Sequence, residues 1–281
     1  MGVRMNIGIF DSGIGGLTLL HQAIMLMPQE NFLFYADTDH VPYGTKSREQ
    51  VISYVDEVIR FMISHDCKAV VIACNTATAV AAELMRDRYD CIPIIGIEPA
   101  VKPAVEESAG KRVMVVATPL TVHEKKLKKL VERVDDAHLV DLVELPGLVA
   151  FAECKEFVSD RVTAYLRKQF NNYTLEQYGE LVLGCTHFNF FKDTFQTLMP
   201  PHVHIIDGSL GTVRQLMRVL NSKGLLSASQ IKATQKESND WETLKNNICV
   251  KYYTSGHLVT DPLQLNTIQH LHERLELMRK I

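Results

Sequence analysis

The stretch Ala69–Thr78, AVVIACNTAT, decides the fold, and Glu180–Phe188, ELVLGCTHF, echoes it. Each reads as a short buried strand of Val, Ile and Leu that stops at a cysteine and gives way to Thr and a helix start. The run length, the β-branched residues and the polar break at the cysteine favour a strand over a buried helix segment. In an open α/β sheet, ligands bind outside the carboxyl ends of the strands. Two such ends, each bearing a thiol, would present Cys74 and Cys185 to a single pocket.

Upstream of the first cysteine, residues 6–10 (NIGIF) form a strand ended by Asp11-Ser12-Gly13, and Gly13, Gly15 and Gly16 make a tight turn. A helix over 17–27 stops near Pro28, and a second strand follows at 32–36. The loop 37–45 holds Pro42-Tyr43-Gly44, and a helix over 48–65 gathers Val51, Val55, Val58, Ile59 and Met62 on one face. After the cysteine come a helix over 76–88 and a strand over 92–97. This alternation is the signature of a parallel sheet with helices on both sides.

At Glu98-Pro99-Ala100 the pattern restarts. A helix leads to the strand 112–117, which stops at Thr118-Pro119 much as the first strand stops at Asp11-Ser12. Another helix, a strand over 139–145, a helix over 156–170 and the second cysteine strand follow. Ile7 and Val113 lie 106 positions apart, Cys74 and Cys185 111, and such close offsets suggest a duplicated α/β unit. After a strand over 203–206, Asp207-Gly208-Ser209 reads as a return crossing into a helix over 210–220. Residues 227–247 are polar and read as a surface excursion, 249–254 as a strand, and Ile268, Leu271, Leu275 and Met278 mark a last amphipathic helix. The expectation is therefore α/β: two similar, pseudo-duplicated parallel-sheet domains, 1–98 with 209–281 and 99–208, with the active site in the cleft between them.

The chain of 281 residues is 46 % hydrophobic, enough to bury a real core, and its 30 basic and 33 acidic side chains leave a net charge of −3. That balance argues against nucleic acid or an anionic membrane as partner. The basic cluster Lys125, Lys126, Lys128 and Lys129 reads as the solvated face of a helix whose apolar side is Leu127, Leu130, Val131 and Val134. No signal peptide is evident, and no apolar run nears the ~20 residues of a spanning helix, so the expected compartment is the cytoplasm, with thiols reduced. The six cysteines include no CxxC pair, which speaks against a zinc site or a thioredoxin-like motif. Cys67, Cys91, Cys154 and Cys249 read as small buried apolar residues.

A thiol at a strand end before a helix feels the positive helix terminus, which favours thiolate. Each cysteine is followed by hydrogen-bonding groups, Asn75-Thr76 after one and Thr186-His187 after the other; the plainer reading of each is a core cysteine followed by an N-cap. Two facing thiols suit a racemase, which takes a proton from one face of a carbon and returns one to the other. Asp11 could orient or relay protons to the nearer thiol, and His187 to the other. Other readings carry weight too. Gly13-Ile14-Gly15-Gly16-Leu17-Thr18 approaches the dinucleotide fingerprint GxGxxG, with Asp37 as its ribose carboxylate, although the third glycine is Thr18. A Cys–His hydrolase on Cys185 and His187 suffers because i and i+2 side chains diverge on a helix or regular strand. Metal binding by that pair lacks further clustered ligands, and no lysine at a strand end offers a pyridoxal Schiff base.

The chain resembles the glutamate racemases of the cofactor-independent aspartate/glutamate racemase superfamily. Four motifs carry the resemblance: Gly8-Ile-Phe-Asp-Ser-Gly-Ile-Gly-Gly-Leu-Thr18, Pro42-Tyr43-Gly44, Ala73-Cys-Asn-Thr-Ala-Thr78 and Leu183-Gly-Cys-Thr-His187. The resemblance implies two α/β domains with glutamate between them, Cys74 and Cys185 as proton-transfer bases, and Asp11, Glu153 and His187 as auxiliary acid and base positions. It assigns Asp11-Ser12, Tyr43-Gly44, Asn75-Thr76 and Thr186-His187 to substrate binding, where backbone N–H groups and hydroxyls suit two carboxylates. It further implies no cofactor or metal, a homodimer, and D-glutamate for peptidoglycan synthesis and cell-wall biogenesis in a bacterium. An enzyme for another acidic amino acid such as aspartate, or a catalytically silent glutamate-binding protein, would share most of these features. Two departures stand out. The family follows its second motif with an aromatic residue and Pro, where this chain has Phe188-Asn189. Around Glu153, the stretch Pro146-Gly-Leu-Val-Ala-Phe-Ala-Glu keeps Pro, Val149 and Glu but little else, so a solvated glutamate at a helix start is the competing reading.

Overall fold

In the computed structural model, residues 5–233, 241–245 and 247–281 are described. Strands β1 (Asn6–Asp11), β2 (Asn31–Ala36), β3 (Cys67–Ile72) and β4 (Ile94–Gly96) alternate with helices α1 (Leu17–Leu26), α2 (Arg48–Ser64) and α3 (Asn75–Arg88). After α4 (Val101–Glu107) come β5 (Arg112–Ala117), α5 (Pro119–His123), α6 (Lys125–Val134) and β6 (Val140–Glu144). Helices α7 (Leu148–Glu153) and α8 (Asp160–Phe170) lead to β7 (Tyr178–Leu183), α9 (Lys192–Leu198) and β8 (His204–Asp207). The chain then runs through α10 (Ser209–Ser222), α11 (Ala228–Ala233) and α12 (Trp241–Leu244). It ends with β9 (Cys249–Thr254), β10 (His257–Leu258) and α13 (Pro262–Met278).

The strands form two sheets, ordered β10-β9-β2-β1-β3-β4 and β6-β5-β7-β8. All pairings are parallel except that of β10 with β9. The order 2-1-3-4 of the first four strands recurs as 6-5-7-8 in the second set. Even an irregularity repeats: the register shifts between Asn6 and Ile7 where β1 meets β3, and between Arg112 and Val113 where β5 meets β7. Duplication, seen in sequence only as two similar offsets, is visible here as repeated connectivity. The cysteine strands β3 and β7 occupy equivalent places.

Strand alternation sorts side chains into layers. Ile7, Ile9, Ala69 and Val71 face a core that α1, α10 and α13 close with Leu20, Leu216 and Leu275. Phe10, Val70 and Ile72 face the opposite core, closed by Val55, Ile59 and Met62 of α2 and by Ala81 and Met85 of α3. Both faces are covered, which is why these strands read as unbroken apolar runs. In the second sheet Val113, Val115 and Val182 meet Ala104 and Leu127 of α4 and α6. Helix starts follow local chemistry: Ser47 and Gln50 make a reciprocal capping box on α2, and Asp261 caps α13 ahead of Pro262.

Three sequence expectations are corrected. The helix expected over 156–170 begins only at Asp160, where Ser159 caps α8 through the Val162 N–H, and a separate short helix, α7, precedes it and ends before Lys155 adopts a positive φ. Cys91, Cys154 and Cys249 are exposed, because they sit past a helix end, at a helix C-cap and at the start of an outlying strand; Cys67 alone of that group is buried. The excursion 227–247, of which 234–240 and 246 lie outside the described residues, is not wholly superficial. Its Trp241 is 3 % exposed and stacks on His272 at a ring distance of 4.9 Å, an inward contact that polar composition concealed. No helix among the described residues is long and apolar enough to cross a membrane.

Candidate active site

Cys74 lies one residue past the end of β3 and is the N-cap of α3, its Sγ accepting the Ala77 N–H at 3.5 Å. It lies 3.7 Å from the Ser12 hydroxyl, which in turn lies 3.4 Å from Asp11 Oδ1. The helix terminus pulls the thiol toward thiolate, as expected from sequence, but is outweighed. Burial, followed by the negative charge of Asp11, pushes the Cys74 thiol up to about 12. Asp11 ends β1 with no exposure, and its carboxylate accepts the Gly13 N–H at 3.1 Å and the Thr186 hydroxyl at 2.9 Å. Burial raises its pKa despite those bonds and the nearby charge of His187.

Cys185 follows β7 in extended conformation, φ −147° and ψ 134°, and a 3-10 helix over Thr186–Phe191 begins immediately after it. That bend brings residues i and i+2 together: Cys185 Sγ lies 3.8 Å from His187 Nδ1. The objection that such side chains diverge is therefore overturned here, because the backbone between them is neither regular strand nor helix. His187 Nε2 lies 2.6 Å from Glu153 Oε1, which also accepts the Ile14 N–H at 2.9 Å. Burial disfavours the imidazolium, but the bond to Cys185 and then the Glu153 carboxylate together hold His187 well above its usual value. For Glu153, burial is outweighed by the His187 bond and charge, which depress its pKa. The competing reading of Glu153, a solvated residue at a helix start, fails on both counts: it ends α7 and is held against His187.

The remaining sequence-predicted residues converge on the same strand ends. Tyr43 and Gly44 open a 3-10 turn after the cis Val41–Pro42 peptide, and both are buried. Asn75 is 5 % exposed, with its Oδ1 lacking a hydrogen-bond partner. Thr76 shares a triangle of hydroxyls with Thr118 at 2.9 Å and Thr121 at 3.0 Å, which stand 2.9 Å apart. Thr118 and Thr121 were missed in the sequence, although Thr118-Pro119 was seen to end a strand as Asp11-Ser12 does; that likeness was the available signal. A second omission is Thr18, whose hydroxyl donates to the Thr186 carbonyl at 3.1 Å. The same carbonyl receives Asn189 Nδ2 at 3.3 Å, so the residue in place of the family's Pro ties down the turn by a side-chain bond instead.

The Gly-rich turn is a packing device rather than a phosphate cradle. A Cβ at Gly13 would collide with the Glu153 carboxylate, and one at Gly15 with the His187 ring. The room a pyrophosphate would need is occupied by side chains of the second half, which removes the dinucleotide reading. Among the described residues, no group of three or more His, Cys, Asp or Glu could hold a metal ion.

Two thiols thus stand past the ends of equivalent strands, each with its own carboxylate-linked partner, an arrangement with the groups that acid–base chemistry on two faces of a carbon needs. The chain belongs to the Asp/Glu/Hydantoin racemase family, whose sequence pattern matches residues 18–216. Within it, the chain is 48 % identical over 279 residues to the glutamate racemase of Lachnospira eligens, covering 99 % of this chain and 100 % of the relative. It is 44 % identical to glutamate racemase 2 of Bacillus subtilis, with 97 % of each covered. Among solved structures, glutamate racemase isoform RacE1 of Bacillus anthracis superposes with a TM-score of 0.77 at 27 % identity, covering 96 % of this chain and 93 % of that one. The Francisella tularensis glutamate racemase in complex with D-glutamate gives 0.76 at 25 %, with the same coverage. The two-domain α/β fold and the membership of a racemase family are those expected from the sequence.

Proposed function

We propose that this protein interconverts L- and D-glutamate by moving a proton at the α-carbon between Cys74 and Cys185. Its extensive identity to glutamate racemases supports the substrate. The observation that carries the mechanism is the matched wiring of the two thiols. Cys74 is linked through Ser12 to Asp11, Cys185 through His187 to Glu153, and Thr186 joins the two sets by donating to Asp11.

In this mechanism one thiolate takes the α-proton while the opposite thiol gives its proton to the other face of the carbon. The atoms balance: the product leaves with one proton exchanged and the two sulfurs with their roles reversed. Burial, which pushes the Cys74 thiol up, also makes its thiolate a stronger base toward a weak carbon acid. Ser12, Asn75, Thr76 and Thr186, with the Tyr43–Gly44 backbone, supply donors for the two substrate carboxylates. Asp11 and His187 hold or relay the protons of their thiols, and Glu153 keeps His187 charged. The chemistry asks only for acid–base groups that the chain itself supplies.

The domains that close on glutamate are taken as 1–98 with 209–281 and 99–208. The reduced thiols suit the cytoplasm, the D-glutamate would enter peptidoglycan synthesis, and a homodimer is the assembly that fits the family. Proton NMR with L-glutamate in D2O, beside circular dichroism, tests the reading with no pyridoxal or metal added. Wild type should lose both α-hydrogen signal and optical rotation, and Cys74→Ser and Cys185→Ser should each be impaired. Retention of both signals with glutamate, and then with aspartate, would leave a binding role.

A further inference from the structure

Asp37 drew notice in the sequence as a ribose carboxylate, and the structure gives it other work. Its N–H donates to the Asp11 carbonyl at 2.9 Å, so it sits at the carboxyl edge of the first sheet beside the Asp11–Ser12 pair. The residue is 3 % exposed, and its carboxylate is fully engaged. It accepts the Tyr43 phenol at 2.5 Å, has both oxygens 2.9 Å from His40 Nδ1, and lies 3.5 Å from the Ser255 hydroxyl. Tyr43 is 1 % exposed, so water cannot replace that acceptor.

The bond from Tyr43 back to Asp37 closes the loop 37–45 on its own base. It thereby fixes the Tyr43–Gly44 peptide, which leans on the second half of the molecule: a Cβ on Gly44 would stand 2.6 Å from Thr118 Cβ. We infer that Asp37 is a positioning residue of the racemase, holding the Tyr43 phenol so that the Tyr43–Gly44 backbone meets a substrate carboxylate. The phenol points at Asp37, so Tyr43 serves the substrate through its backbone and spends its hydroxyl on the anchor. The inference rests on the proposed racemisation of glutamate and adds to it the group that sets substrate affinity.

The test is steady-state kinetics in both directions on Asp37→Ala, Asp37→Asn, Tyr43→Phe and the Asp37→Ala/Tyr43→Phe double variant. A loop that grips substrate before and during proton transfer acts on KM, whereas partial unfolding only lowers the active fraction and hence kcat. Asp37→Ala and Tyr43→Phe should each raise KM for both enantiomers roughly ten- to a hundredfold, with kcat within about threefold of wild type. The double variant should be no worse than the poorer single one, since both remove the same bond. Asp37→Asn retains an acceptor and should recover most of the affinity; with Tyr43→Phe it keeps the test valid should the alanine variant not fold. A fall in kcat with KM unmoved, or additive losses in the double variant, overturns the inference. The parallel wild-type assay separates the two readings. Absence of exchange in wild type defeats the racemase reading, while normal wild-type exchange with unmoved KM in the variants defeats the positioning role alone.

Discussion

His187 and Glu153 are 34 positions apart in sequence and 2.6 Å apart in space, and each alters the proton affinity of the other. The raised His187 contributes stability that is full below its ordinary value of 6.5 and is lost as pH climbs through the higher folded value. The depressed Glu153 contributes stability present above 4.5 and lost as pH falls through its lower folded value. The pair is thus intact across the neutral range. Glu153→Gln removes the carboxylate and lets the His187 pKa fall. Its pH–rate profile should show the alkaline limb moved to lower pH, with kcat down about tenfold or more; an unmoved limb would detach Glu153 from the chemistry. The thiols permit a second check. With Cys74 held near 12 by burial, iodoacetamide at pH 8 should label Cys91, Cys154 and Cys249 well before Cys74, as read by peptide mass mapping. At this scale both cysteines, Asp11 and His187 were legible as candidates in the sequence, because each closes or follows an apolar strand. Glu153 stayed ambiguous because its partners, Ile14 and His187, lie on distant segments.

Elements were legible where one face is buried against a continuous core and obscure where tertiary contacts outvote local pattern. Helix α2 shows its apolar stripe in the bare sequence. The 3-10 segment Thr186–Phe191 does not, because all six of its residues are buried and no period marks it. Helix α13 explains part of that burial. The Arg274 guanidinium donates to the Phe190 carbonyl at 2.7 and 3.1 Å and to the Asp193 carboxylate at 2.8 Å, tying the C-terminal helix to the segment after Cys185. Trp241 is the clearest case of concealment, a large side chain in a polar stretch that packs against both rings of the hydrogen-bonded pair His21 and His272. Trp241→Ala should cost about 3–5 kcal/mol in chemical denaturation, the usual loss for a buried aromatic. A change within ~0.5 kcal/mol, typical of surface sites, would restore the original reading of a superficial excursion.

Across the whole molecule, the duplication of the α/β unit could be inferred from two sequence offsets, but how the two sheets face each other could not. That arrangement is set by contacts between residues far apart in the chain, and they gather around the thiols: Thr76 with Thr118 and Thr121, Thr18 with the Thr186 carbonyl, Thr186 with Asp11, and Gly44 against Thr118. Hydroxyls suit such a seam because they can donate to one another and to a carboxylate without fixed charge. The seam has little slack at Gly44, where the contact is made by the Thr118 Cβ itself and not by the movable end of a long side chain. Gly44→Ala must therefore push the loop and the second sheet apart. The change falls at the mouth of the site and not in either core, so thermal stability should fall by no more than about 1–2 kcal/mol, while kcat/KM drops about a hundredfold or more, as misplacement of reacting groups by an ångström can do. If the clash with Thr118 is the cause, adding Thr118→Gly should recover part of that loss, even though the same change removes a hydroxyl from the Thr76 triangle and is harmful alone. Recovery in the double variant, measured as kcat/KM in both directions, would show that the spacing of the two halves governs activity. Losses that simply multiply would mean that Gly44 is needed for its own backbone and not for the gap it leaves.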